Sequence, residues 1–122
     1  MRRPKINRVR ERRIEQQIVV DACGPDERAL SWYYYLENQL RFPFEAICHT
    51  RRATSPLNIG DSVTITGLAP DDDCGGEIIV LTRWHERPLG VPLTQLAPQQ
   101  VDPGTAEAIA DWQYWTAMGY RF

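Results

Sequence analysis

SPLNIGDSVTITGLAPDDDCGGEIIVLTRWHERPLGVPLTQL, residues 55–96, is the stretch whose reading decides the fold. Ser62, Thr64 and Thr66 alternate with Val63 and Ile65. That period of two is what a half-buried strand requires, so residues 57–66 are predicted to lead into and form one strand. Residues 77–84 form a second, in which Ile78, Ile79, Val80 and Leu81 place apolar groups on both faces and predict burial from two sides. A third, residues 89–96, contains Pro92, which cannot donate a ladder hydrogen bond and belongs on an edge or at a bulge. Upstream, Phe42-Pro43-Phe44 launches a strand over 45–49, because the residue before proline is pushed into extended conformation. Short, curved antiparallel strands about one apolar centre predict an α+β chain built on a small SH3-like β-barrel, its core spanning about residues 44–96.

Helices flank this barrel on both sides. Residues 5–17 have helical composition, with Ile6, Val9, Ile14 and Ile18 at three- and four-residue spacing. Gly24-Pro25-Asp26-Glu27 carries a helix-start signature, proline near the first position with acids in the first turn, and predicts a helix over about 25–40. Ala29, Leu30, Tyr33, Leu36 and Leu40 line one face, with Trp32, Tyr34 and Tyr35 around it. Such aromatics at helical spacing pack a core. Residues 97–100 read as a linker. Asp102 is then an N-cap with Pro103 at the first helical position, and the last helix runs over about 103–118 to Gly119. Mid-helix Asp111, among aromatics, reads as a buried hydrogen-bond or ion-pair partner of an arginine, or as a ligand.

A length of 122 residues gives one domain. The sequence has no apolar run near eighteen residues and no secretory h-region, which predicts a cytoplasmic protein. Cys23, Cys48 and Cys74 are odd in number and form no C-x-x-C pair, which fits reduced thiols; with His49 and His85 they match no common zinc spacing. Residues 1–13 hold seven Arg or Lys against Glu11, a balance of +6, so a net charge of −2 leaves −8 on residues 14–122. Residues 1–13 therefore read as a basic arm ahead of a single domain, 14–122. The arm could contact nucleic acid or an acidic protein partner, stay solvated, or pair with the acidic body.

The turn between the first two strands of the opening stretch concentrates Asp71, Asp72, Asp73 and Glu77 within seven residues, around Gly75 and Gly76. Hard divalent cations take oxygen ligands; calcium takes roughly six to eight at flexible geometry, and glycines let carbonyls turn inward. Asp71, Asp73 and Gly76 fit positions one, three and six of a helical calcium loop, but Gly75 and Thr82 fail at five and twelve, so this is no EF-hand. A polar surface turn uses the same residue types. Glu37, near the end of its helix, stands where the helix dipole disfavours a carboxylate, and a bound cation or a neighbouring arginine would offset that. No nucleophile elbow, P-loop, H-E-x-x-H or glycine-rich phosphate fingerprint is present, so no enzyme is expected.

The blocks Ile18-Val19-Val20-Asp21-Ala22, Trp32-Tyr33-Tyr34-Tyr35-Leu36, Phe42-Pro43-Phe44, Ser55-Pro56-Leu57, Val91-Pro92-Leu93 and Asp111-Trp112-Gln113-Tyr114-Trp115, in that order, resemble the small calcium-binding proteins of the CcbP type. The resemblance covers about residues 14–122. It implies a soluble bacterial protein that binds Ca2+ through surface carboxylates and sequesters it without catalysis. Carried onto this sequence, the implied metal ligands are Asp71, Asp72, Asp73, Glu77 and Glu37. Asn38 and Gly75-Gly76 stand where the family would be expected to offer more charge, which lowers the expected affinity.

Overall fold

The computed structural model describes residues 5–19, 24–70 and 77–119. Helix α1 (Arg8–Arg13) is capped by Asn7, whose side chain accepts from the Arg10 amide, and runs into a π-helical turn (Ile14–Ile18). Helix α2 (Pro25–Gln39) follows, then strands β1 (Phe44–Cys48), β2 (Ser62–Leu68), β3 (Ile79–Trp84) and β4 (Arg87–Pro92). A 3-10 turn (Leu93–Gln95) leads into β5 (Leu96–Gln99), and helix α3 (Pro103–Ala117) ends the described chain. As the sequence requires, α3 is capped by Asp102 through the Thr105 amide, and Gly119 closes it at φ +84.

The five strands make one antiparallel sheet in the order β4-β3-β2-β1-β5. β4 and β5 are its edges, and among the described residues they do not pair with each other, so the hydrogen-bonded closure expected of a barrel is not made. The sheet is nonetheless strongly curled. Across four flat strand spacings the edges would lie about 19 Å apart, whereas the four peptide steps from Pro92 to Leu96 reach at most ~14 Å. A register shift between Ile65 and Gly67 bends β2 against β3 and contributes to this curl.

Two expectations from the sequence are corrected here. The stretch 89–96 is not one strand but the end of β4, a 3-10 turn and the start of β5. Residues 97–99 are not a linker: β5 pairs with β1 in the register Cys48↔Leu96, Ile47↔Ala97, Ala46↔Pro98 and Glu45↔Gln99. The reason is Pro98, which signals a loop in isolation but is tolerated in a strand that has only one neighbour.

Phe44, Ala46 and Cys48 of β1, Val63 and Ile65 of β2, and Val80 of β3 turn inward and are buried. The opposite face of β3, Ile79 and Leu81, is half-buried, so burial from two sides holds only in part. Helices α2 and α3 cover the inner face and meet through Trp32, whose ring lies 5.1 Å from that of Trp112 and 5.8 Å from that of Trp115. Gln113 of α3 donates to the Leu93 and Leu96 carbonyls, tying the helix to the corner between β4 and β5.

The basic N-terminal segment is bound into this body. Asp111 of α3 is fully buried, and its carboxylate accepts from Arg10 Nη1 at 2.9 Å, from both Arg13 nitrogens at 2.6 Å, and from the Tyr35 hydroxyl at 3.2 Å. Ile14 and Ile18 are buried behind it. Pairing of the basic segment with the acidic body, one of the three readings open from sequence, is therefore realised by Arg10 and Arg13.

Candidate metal centre

The acidic turn springs from the β2–β3 hairpin. The last register pair is Leu68↔Val80, and beyond it the Ala69 amide donates to the Ile79 carbonyl at 2.9 Å. Ala69 is buried, and its own carbonyl accepts the Tyr33 hydroxyl of α2 at 2.8 Å. Helix α2 thus grips the root of the turn. Asp71, Asp72 and Asp73, with Cys74, Gly75 and Gly76, lie outside the described residues.

Glu77 is described and half-buried. Its two carboxylate oxygens accept from the two terminal nitrogens of Arg52, at 3.2 and 3.0 Å, in a side-by-side pair. The Glu77 carboxylate raises the Arg52 pKa, first by the hydrogen bonds and then by its charge. Arg52 stands in the long connection between β1 and β2, where the Ser55 amide donates to its carbonyl at 3.0 Å and no helix or strand holds it. No periodicity or motif links residues 52 and 77, so this partner was invisible in the sequence.

Glu37 is exposed on α2. It stands four residues beyond Tyr33, on the same side of the helix and one turn past the residue that holds the turn's root. Among the described residues no three His, Cys, Asp or Glu side chains come together in a way that could hold a metal ion. The zinc alternative gains nothing there either: Cys48 is buried and donates to the Thr50 carbonyl, while His49 Nδ1 lies 2.9 Å from the Thr50 hydroxyl. Asp111, the other acid with a ligand reading, is fully engaged by Arg10, Arg13 and Tyr35. That pairing raises the Arg13 pKa through hydrogen bonds to Asp111. Burial, with the Asp111 charge and hydrogen bond behind it, pushes the Tyr35 phenol up to about 12.

The side chains that the sequence puts forward, Asp71, Asp72, Asp73, Glu77 and Glu37, offer carboxylate oxygens, hard donors that suit calcium rather than a thiolate- or imidazole-seeking metal. Comparison with known proteins points the same way. No curated protein matches the sequence. The crystal structure of Anabaena CcbP has the same fold, with a TM-score of 0.87 and 38% identity over 100% of both chains. A calcium binding protein in the calcium-binding form gives a TM-score of 0.85 and 36% identity, again over 100% of both chains. The family model for CcbP proteins, described as calcium binding, matches residues 12–116. In sequence over residues 12–116, and in fold over its whole length, this chain belongs to the CcbP calcium-binding family.

Proposed function

We propose that the protein binds Ca2+ reversibly through surface carboxylates and acts by sequestering the ion, without catalysis, in the cytoplasm. Membership of a calcium-binding family, over residues 12–116, carries this reading. In keeping with it, no helix among the described residues is long and apolar enough to cross a membrane. Asp71, Asp72, Asp73 and Glu77 are the proposed ligands, with Glu37 as a further candidate; loop carbonyls and water would complete the shell. Calcium accepts such a flexible oxygen set, whereas magnesium demands near-ideal octahedral geometry and gives up its waters reluctantly. An exposed loop site of this kind is expected to hold calcium with a Kd on the order of micromolar to millimolar.

The strand order, the bulge in β2 and the three-residue link between opposite sheet edges support an SH3-like barrel as the finer description of the fold. On domain organisation, we retain a basic arm, 1–13, ahead of a 14–122 domain, the arm being tied down where Arg10 and Arg13 reach Asp111. With those two arginines engaged, the arm has less free charge for nucleic acid or a protein partner, and calcium binding is the better-supported function.

The test is isothermal titration of chelator-stripped protein with calcium, with magnesium as control. Saturable calcium heat that Asp71→Asn with Asp73→Asn weakens at least tenfold is the expected result. Unchanged binding in that double variant would remove the turn from the site.

A further inference from the structure

Glu77 is the one acid of the turn whose surroundings are described, and it already has a cation. Arg52 engages both of its oxygens, at 3.2 and 3.0 Å. A metal ion drawn to that carboxylate meets a guanidinium in possession. We propose that Arg52 is an internal counter-cation which holds the Glu77 carboxylate when calcium is absent and gives it up when calcium binds, so that Arg52 sets the affinity of the site. This inference rests on the calcium reading above and extends it to a residue outside the acidic turn.

Three features support an exchangeable pair rather than a fixed brace. The side chains of Arg52 and Glu77 are 39% and 35% exposed, so water reaches both and neither pays a deep desolvation penalty on separating. Arg52 sits in an irregular connection rather than a strand or helix, so its side chain can swing aside without breaking a ladder. Both groups face a cleft of about 430 Å³, lined also by His49, Thr94, Gln113 and Thr116, which gives the displaced guanidinium somewhere to go. The contrast with Arg13 is instructive. That arginine meets a carboxylate with no exposure at all, at 2.6 Å, and braces the fold.

The chemistry follows from charge. In sequence Glu77 follows Asp73 by four positions, and in the calcium-free state a monovalent guanidinium beside it would offset repulsion from carboxylates brought near. A divalent ion offers that carboxylate twice the charge and direct coordination, at the cost of breaking the Arg52 contact. An exposed ion pair of this kind corresponds to roughly a two- to fivefold change in an equilibrium constant. Arg52→Gln should therefore tighten calcium binding about two- to fivefold.

Removing any positive charge near the site raises affinity somewhat, so the control is Arg51→Gln, which deletes the same charge next door at an exposed residue that makes no ion pair among the described residues. Calcium titrations of the wild-type protein, R52Q and R51Q would be run with thermal melts to verify folding. They would be joined by the Arg52 Nε–Hε nuclear magnetic resonance signal, identified by its loss in R52Q. Support is a gain in R52Q clearly above that in R51Q, together with movement of the Arg52 signal on adding calcium but not sodium chloride of equal ionic strength. Equal gains in the two variants, or a still Arg52 signal at calcium saturation, would overturn the inference while leaving the calcium reading intact. Absence of saturable calcium heat in the wild-type protein would end both.

Discussion

Asp111→Ala is the substitution on which the bound N-terminal segment can be judged. The wild-type carboxylate has no exposure, and four hydrogen bonds converge on it from α1, α2 and their two arginines and one tyrosine. Breaking a buried ion pair by deleting one partner costs roughly 3–5 kcal/mol, because the surviving charge is left without compensation. Here the survivors have some relief. The Arg10 and Arg13 side chains are 27% and 23% exposed, and Arg13 keeps Glu107 at 3.3 Å. The expected loss is therefore about 2–3 kcal/mol, a large share of the ~5–15 kcal/mol that holds a domain of this size together. Urea unfolding followed by tryptophan fluorescence would read it well, since Trp32, Trp112 and Trp115 pack in one cluster beside Asp111. Arg13→Gln should cost more than Arg10→Gln, because Arg13 makes two bonds at 2.6 Å and Arg10 one at 2.9 Å. A loss below about 1 kcal/mol in D111A would place this cluster with weak surface pairs and refute the reasoning. The same logic bears on truncation: deleting residues 1–13 removes both arginines and strands Asp111, so arm function is better probed by neutralising Lys5, Arg8 and Arg12, which are exposed.

Two further outcomes follow from particular contacts. The two residues between β3 and β4, His85 and Glu86, hold φ of 48 and 64, left-handed values that a two-residue hairpin normally gives to Asn-Gly; replacing them by Asn and Gly should raise stability by about 1 kcal/mol and the melting midpoint by a few degrees, and no gain would contradict the assigned turn. The Tyr35 pKa, raised to about 12 from an ordinary value near 10, makes the folded state favour the protonated phenol. That stabilisation is fully present below pH ~10 and is lost as pH rises through 12, so the stability difference between wild type and Tyr35→Phe should narrow across this window, and a constant difference would count against the burial of the phenol beside Asp111.

Much of the fold was legible because local chemistry and tertiary role agreed. Asp102-Pro103 announces α3, Pro25 announces α2, and Val63 and Ile65 alternate with exposed or half-exposed neighbours as the sheet requires. The stretch from Val91 to Leu96 was illegible for an opposite reason. Val91, Pro92, Leu93, Gln95 and Leu96 are all buried, so the period of two disappears where the chain crosses from one sheet edge to the other. Both strands of the β3–β4 hairpin and the break after Trp84 were read, but the two-residue turn between them was not, because neither His85 nor Glu86 is a residue that advertises positive φ. At the candidate site, the crowding of carboxylates and glycines in one turn put its acids forward as candidates, of which Glu77 lies among the described residues. Arg52 could not be found that way. Its contact with Glu77 spans 25 positions and depends on how the β1–β2 connection folds back.

The placement of proline in the sheet has a consequence for life at high concentration. The exposed rims of an open sheet are templates on which a neighbouring molecule can add a strand. Here one rim, β4, carries the exposed Pro88, and the other, β5, contains Pro98. Each interrupts the row of amide donors that such an addition would need. A protein whose proposed work is to soak up an ion must be abundant in proportion to the ion it removes, and blunted rims let copies of this chain crowd together without zipping into fibres.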